Sequence, residues 1–99
     1  MGLKVRLHRS ARADLKSILE YITRHASARS AERVRADVMR RIRFLSNSPL
    51  MGALTSDPLL RILQPTRYPY RIYYTVQSDE IVILHIRHTA RRTPEGLGA

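Results

Sequence analysis

The stretch that most constrains the fold runs from Tyr68 to Arg92 and reads YPYRIYYTVQSDEIVILHIRHTARR. Its first half alternates strictly: one side holds Tyr70, Ile72, Tyr74 and Val76, and the other holds Arg71, Tyr73 and Thr75. Period-2 alternation in aromatic and β-branched residues is typical of a half-buried strand. After a polar turn at 77–80, the segment Ile81 to Arg87 is apolar on both sides up to Leu84, which predicts a central strand. We therefore expect a β-hairpin whose second arm ends in a cationic cluster.

Two helices are predicted ahead of this hairpin. A short amphipathic strand at 3–8 is followed by apolar residues at steps of four, three and four: Ala11, Leu15, Ile18 and Ile22. This stripe predicts a helix from an N-cap at Ser10 to about His25, with Asp14 and Glu20 in its exposed spacing. A second stripe contains Ala31, Val34, Val38, Ile42 and Leu45. It predicts a longer helix, capped by Ser27 or Ser30 and ending near Ser46, that forms an antiparallel hairpin with the first.

The order of elements predicts an α+β domain. A loop rich in Pro and Gly at 47–58 precedes a strand from Leu59 to Gln64, which Pro65 ends. The order β-α-α-β-β-β is most simply packed as a helical hairpin on one face of a small, mostly antiparallel sheet. The opposite face is then expected to be open, with Tyr73 exposed and Tyr70 and Tyr74 in the core. We expect one domain over 1–93 and a flexible tail over 94–99.

The charge of the chain indicates an anionic partner. Its 99 residues carry a formal net charge of +10, and sixteen of the eighteen basic residues are arginine. Residues 1–43 have a balance of +8 and residues 44–99 only +2, so most of the charge lies on the predicted helices. Such a domain is suited to nucleic acid, a ribosome or an acidic protein. The alternative is a solvated, arginine-rich helix surface without a dedicated partner.

Several classes of protein are excluded or disfavoured by composition. The chain has no cysteine, which rules out disulfides and cysteine-ligated zinc and suits a reducing cytoplasm. No apolar run approaches the roughly 20 residues that span a membrane, and residues 1–10 lack the apolar core of a signal peptide. The four histidines have no carboxylate or cysteine neighbours at ligand spacing, so we expect neither a metal site nor a cofactor.

Five segments together resemble the RelE/ParE superfamily of bacterial type II toxins. They are SARADLKSILEYI at 10–22, LSNSP with the following Gly52, the strand 60–62, YPYRIYYTV at 68–76 and ILHIRHTARR at 83–92. Their order and spacing cover about residues 3 to 93. The resemblance implies a toxin that is neutralised by a cognate acidic antitoxin in a hetero-oligomeric complex. It also implies one of two targets, because RelE-like members cleave mRNA on the ribosome and ParE-like members inhibit DNA gyrase.

A metal-independent nuclease needs an acid/base group and cationic groups around the phosphate. The resemblance assigns Arg71 and Arg91 to the phosphate and Arg61 to part of the basic strand. His88 is the best candidate for proton transfer, because imidazole is the side chain suited to acid/base chemistry near neutral pH. The chain departs from the RelE-like pattern, since it has no lysine at 60–64 and no tyrosine after Tyr74. It also lacks an upstream glutamate in that region, where only an aspartate at position 57 occurs.

The ParE-like interpretation requires an exposed basic surface and no catalytic set, and these departures favour it. Its predicted target-binding residues are Arg61, Arg71, Tyr73, Arg87, Arg91 and Arg92. The antitoxin is expected on the helical hairpin from Ala11 to Leu45 and at a sheet edge. Two structural alternatives stand beside these assignments: Arg71 could pair with Asp79 or Glu80, and His85 could be a structural strand residue. A basic nucleic-acid-binding module without toxicity is a third interpretation of the whole chain.

Overall fold

The computed structural model, described here for residues 2–90, is an α+β fold in which two helices pack on a mixed five-stranded sheet. The strands are β1 (Lys4–Leu7), β2 (Ala53–Leu54), β3 (Arg61–Leu63), β4 (Tyr70–Val76) and β5 (Glu80–His88), and the helices are α1 (Arg9–His25) and α2 (Ala28–Leu45). The predicted fold class and order are confirmed, with β2 as an additional two-residue strand and β3 shorter than expected. The predicted tail lies outside the described residues.

The helical hairpin forms where the apolar periodicity predicts it. Ser27 caps α2, its hydroxyl accepting from the amide of Ser30 at 3.0 Å, as expected. The cap of α1 is His8 and not Ser10, because the Nδ1 atom of His8 accepts from the Ser10 amide at 3.2 Å. An imidazole nitrogen here replaces the more usual hydroxyl or carboxylate acceptor, and both the cap and the start of α1 lie two residues earlier than predicted.

The sheet is organised around β5, the strand predicted to be central. Its order is β1-β5-β4-β3-β2, so β5 lies between the first strand and its own hairpin partner. The β1 strand pairs with it in parallel, from Lys4 opposite Glu80 to Leu7 opposite Ile83, and the other strand pairs are antiparallel. A parallel neighbour requires a crossover, which α1, α2 and the remaining strands provide. No helix among residues 2–90 has the length and apolar character required to cross a membrane.

A β-bulge at Leu84 divides β5 into two halves. Tyr74 lies opposite Ile83 and Tyr73 opposite His85, which leaves Leu84 as the extra residue. Because a shift of one residue moves every following side chain to the other face, residues 85–88 alternate in the opposite sense from 81–83. Ile81, Ile83 and Ile86 consequently face the helices together.

The core lies between the helices and the face of the sheet that carries Tyr70, Ile72 and Tyr74. The predicted apolar stripe of α2 is buried throughout, and Ala11 of α1 is buried with Leu15, Ile18 and Ile22 packed against the same cluster. Each fully buried isoleucine or leucine contributes roughly 1.5–3 kcal/mol of transfer free energy. Neither helix is stable without this cover, since isolated helices of this length are marginal in water.

The opposite face of the sheet is only partly open, which corrects the expectation of a bare surface. Tyr73 is 1% exposed, and Val82 and Leu60 are also buried. Tyr73 and Val82 belong to the face of Arg71, so this face has a small apolar area of its own. The prediction that Tyr73 is exposed is therefore wrong. Strand alternation identifies the side on which a residue lies, but it does not reveal whether that side is covered.

Arg41 is a buried arginine that is not among the predicted site residues. Its side chain is inserted between α2 and the sheet and donates to the carbonyl oxygens of Tyr70, at 3.1 Å, and of Gln64. Asp37, one turn earlier and only 2% exposed, lies 4.0 Å from its guanidinium. Burial lowers the pKa of the Arg41 guanidinium, while the carboxylate of Asp37 raises it. This contact fixes the segment between β3 and β4 to α2.

Candidate functional site

Arg71 and Arg87 are direct cross-strand neighbours on the sheet face that lies away from the helices. Like charges directly opposite each other destabilise a sheet, so the pair is costly unless an anion or another acceptor compensates it. The Nε of Arg71 donates to the side-chain oxygen of Gln64 over a long 3.5 Å. The alternative that Arg71 pairs with Asp79 or Glu80 is not observed, because Glu80 instead binds Arg6 at 3.0 Å.

Arg87 and His85 both turn toward α1, where they meet Asp14. The Oδ2 atom of Asp14 lies 2.8 Å from His85 Nδ1 and 3.7 Å from Arg87 Nε, and it accepts from the Ile86 amide at 3.1 Å. The pairing of β1 with β5 ends at Ile83, so the Ile86 amide has no partner from β1. The Asp14 carboxylate takes the place of that partner as hydrogen-bond acceptor. His85 is thus held in a structural contact, as the alternative interpretation proposed.

The prediction that Asp14 lies on the exposed side of α1 is wrong. Its side chain is 17% exposed and bridges the helix to the sheet. The signal was present in the sequence, because Asp14 follows Ala11 by three residues and precedes Ile18 by four. That spacing places it on the apolar stripe, where a carboxylate requires partners.

His88 lies on the opposite face of the sheet from Arg71. It is the cross-strand neighbour of Tyr70, whose ring it meets edge-on with centroids 5.4 Å apart. Its Nδ1 accepts from the Ala90 amide at 3.0 Å, leaving Nε2 as the nitrogen available for a ligand. The bulge at Leu84 causes this separation: strict alternation along β5 would have placed His88 on the face of Arg71.

Arg61 is a structural residue in the described part of the chain. Its guanidinium donates to the carbonyl oxygens of Leu50 and Gly52, at 3.1 and 2.8 Å, and thereby holds the loop before β2. Arg61 is paired with Tyr74 and so belongs to the helix-facing side, away from Arg71. Of the predicted target-binding residues, the structure brings Arg71, Tyr73 and Arg87 to one face. Arg91 and Arg92 lie outside the described residues.

The comparison with known families identifies the chain. The family model described as the ParE toxin of the type II toxin–antitoxin system parDE matches residues 5–93. The chain belongs to this ParE toxin family. Its resemblance to the RelE/ParE superfamily is therefore confirmed, and it is a toxin of the type II toxin–antitoxin class.

Solved structures of this superfamily share the fold of the toxin. A chain of the chromosomal ParDE system from P. aeruginosa superposes with a TM-score of 0.77 at 25% identity, covering 87% of this chain and 95% of that one. A chain of the RelBE2 toxin–antitoxin complex from Mycobacterium tuberculosis gives a TM-score of 0.60 at 24% identity, covering 92% and 95%. A search of curated proteins found no match.

A groove between α1 and the second half of β5 adjoins two of the predicted site residues, Arg87 and His88. It is lined by Asp14, Ser17, Ile18, Tyr21, Arg24, Tyr70, Ile86, Arg87, His88 and Ala90. Tyr21 is 59% exposed, which is high for a large aromatic side chain. Arg24 and Arg87 contribute two positive charges along this groove and Asp14 one negative charge, beside two tyrosine rings. The combination suits an acidic segment with apolar side chains better than it suits a small neutral molecule.

Proposed function

We propose that this toxin inhibits DNA gyrase and is not a ribosome-dependent ribonuclease. The observation that carries the proposal is the separation of Arg71 and His88 onto opposite faces of the sheet. Cleavage of a phosphodiester requires the proton-transfer group and the phosphate-binding group to reach the same phosphate in one orientation. Membership of the ParE family supports the same conclusion. A gyrase inhibitor needs no such constellation, because binding alone is sufficient.

The surface best suited to this binding is centred on Arg71. It lies on a long hairpin whose other face is packed against the core, so its guanidinium is presented by a rigid element. The neighbouring Arg87 turns to Asp14, so Arg71 is the cation of this surface, and its planar guanidinium can bind carboxylates and phosphates bidentately. Tyr73 lies on the same face of β4 as Arg71 but is buried, so it does not contact the target directly.

The proposed natural partner is an acidic antitoxin encoded beside the toxin. Both structural neighbours come from toxin–antitoxin systems, and a chain of charge +10 attracts an acidic segment over long range. We expect that segment to fold on docking. A helix would lie along the helical hairpin and in the groove between α1 and β5, and a strand would pair at a sheet edge. The resulting complex is a hetero-oligomer in the bacterial cytoplasm, where gyrase acts.

Direct assays of both targets test the proposal. The purified toxin is added to gyrase, ATP and relaxed plasmid, and separately to ribosomes translating a defined mRNA. We expect loss of supercoiling or accumulation of cleaved DNA, with the mRNA intact. Substituting Arg71→Gln should weaken inhibition about tenfold to a hundredfold, as loss of one charge-assisted contact at roughly 1.5–3 kcal/mol predicts.

The matched control is Arg35→Gln, which removes one positive charge from an exposed position on α2. It should leave inhibition within about twofold of the unmodified toxin, as expected for a surface ion pair worth under about 1 kcal/mol. Transcripts cut in a ribosome-dependent manner, with cleavage lost in His88→Ala and gyrase unaffected, would assign the toxin to the nuclease branch. Equal weakening by the two arginine variants would show that overall charge, and not the Arg71 surface, governs inhibition.

A further inference from the structure

We propose that the outward face of α2 binds the phosphate backbone of nucleic acid directly. This activity is additional to enzyme inhibition and does not depend on which enzyme the toxin inhibits. The surface is an arginine ridge, defined here as Arg29, Arg33, Arg40 and Arg43. The site described above lies on the sheet and its groove, whereas this ridge lies on the helix that covers the sheet.

The ridge follows from the helical period of α2. Its members are separated by four, seven and three residues, so at about 100° per residue they fall within one narrow sector. That sector is centred opposite Val38, which is fully buried in the core. The four arginines therefore point straight outward, over a length of about 21 Å at 1.5 Å per residue.

Three of the four ridge charges have no acidic partner within the described part of the chain. Arg29, Arg33 and Arg43 are exposed and have no acidic partner among residues 2–90. Arg40 contacts Asp37, yet its side chain is 65% exposed. Like charges three or four residues apart destabilise a helix by roughly 0.2–0.5 kcal/mol per pair. Asp37 offsets this repulsion only at Arg40, and an external polyanion would offset the rest.

The chemistry of the ridge favours nucleic acid over an acidic protein. A disordered acidic segment must bury apolar surface to offset the entropy of folding, and the ridge offers little of it. Ala36 lies between the arginines, and Phe44, 54% exposed, is the large apolar side chain beside them. A nucleic acid backbone is already ordered and offers evenly spaced phosphates, about 3.4 Å apart along the axis of each strand. A ridge of about 21 Å therefore runs beside roughly six phosphates, within reach of four guanidiniums.

The salt dependence of DNA binding tests the proposal. Binding of the intact chain to a fluorescent duplex of mixed sequence is followed by anisotropy at several salt concentrations. Four phosphate contacts predict a slope of log K against log salt of about −3.6, since each contributes about −0.9. The triple variant Arg29→Gln, Arg33→Gln, Arg43→Gln should reduce the magnitude of that slope by about 2.7. Glutamine preserves helix propensity at these positions.

The matched control removes three positive charges from exposed positions on α1, in the variant Arg9→Gln, Arg12→Gln, Lys16→Gln. It should keep most of the slope, whereas an equal loss in both triple variants would overturn the proposal. Poly-glutamate serves as the acidic-protein probe: if the ridge variant loses poly-glutamate but keeps DNA, the ridge is a protein-binding site and the proposal is wrong. Circular dichroism checks that each variant is folded. If the triple variant unfolds, Arg33→Gln alone tests the proposal, with an expected change in slope of about 0.9. None of these results bears on gyrase inhibition, which is measured separately.

Discussion

Replacing Arg41 with methionine tests whether the buried guanidinium fixes the sheet to α2. Methionine keeps the length and apolar character of the stem, so the change removes mainly the hydrogen bonds and the charge. The carbonyls of Tyr70 and Gln64 lose their donor, and Asp37 loses its nearest buried cation. Breaking a buried ion pair by deleting one partner costs about 3–5 kcal/mol. We expect the free energy of unfolding to fall by that amount.

Urea denaturation followed by circular dichroism measures the loss, with the slope of the transition unchanged if the folded state is preserved. Arg40→Met is the matched control, because Arg40 contacts the same carboxylate from an exposed position. It should cost less than about 1 kcal/mol.

A double variant isolates the cost of leaving the buried Asp37 carboxylate without the Arg41 guanidinium. Asp37→Leu added to Arg41→Met should recover part of the loss, since replacing a whole buried pair with apolar residues is often neutral. A loss below about 1 kcal/mol in Arg41→Met, or one equal to that of the control, would refute the anchoring role of Arg41.

Three further predictions concern individual contacts. The Tyr74 hydroxyl bonds a loop amide and a loop carbonyl at 2.7 and 2.8 Å, so Tyr74→Phe should cost about 1–3 kcal/mol in denaturation at neutral pH. Burial raises the pKa of Tyr74 in the folded state above its ordinary value. The stabilisation from the neutral hydroxyl should be complete below the ordinary pKa and should be lost as the pH rises through the folded-state pKa. Tyr74→Phe should show a smaller loss of stability over this pH range. The hydrogen bond from Arg6 lowers the pKa of Glu80 in the folded state. The contact therefore stabilises the fold fully above the pKa that Glu80 has in the unfolded chain, and the stabilisation is lost as the pH falls through the folded-state pKa. In Arg6→Gln, an NMR titration should show that the pKa of Glu80 rises. Asp14→Ala should accelerate hydrogen exchange at the Ile86 amide, while Asp14→Asn, which retains an acceptor oxygen, should accelerate it less.

The sequence is sufficient to predict the elements whose periodicity is long and regular. Both helices and the β4–β5 hairpin were located because their apolar stripes repeat over several turns or pleats. The parallel pairing of β1 with β5 was not predictable, since strand neighbours across 76 positions leave no local pattern. The same limit applies to the cover over Tyr73, which depends on where distant segments pass.

The candidate site was predicted less well, for two physical reasons. Strict alternation cannot reveal the bulge at Leu84, yet that single residue decides which of Arg87 and His88 shares a face with Arg71. Asp14 is predicted to be exposed and Arg41 is not singled out, although the spacing of each places it on a buried helix face. A carboxylate or guanidinium at such a position indicates a specific partner, and should be assigned as a structural anchor before its helix is described as simply amphipathic.

Joining the first strand to the last has a consequence during synthesis. When the ribosome has completed β4, Lys4–Leu7 still lacks its neighbour, and the centre of the sheet does not exist. The isoleucines that close the core arrive with that same final segment. A nascent chain therefore cannot complete this sheet, or close the core beneath it, until Glu80–His88 has emerged from the ribosome.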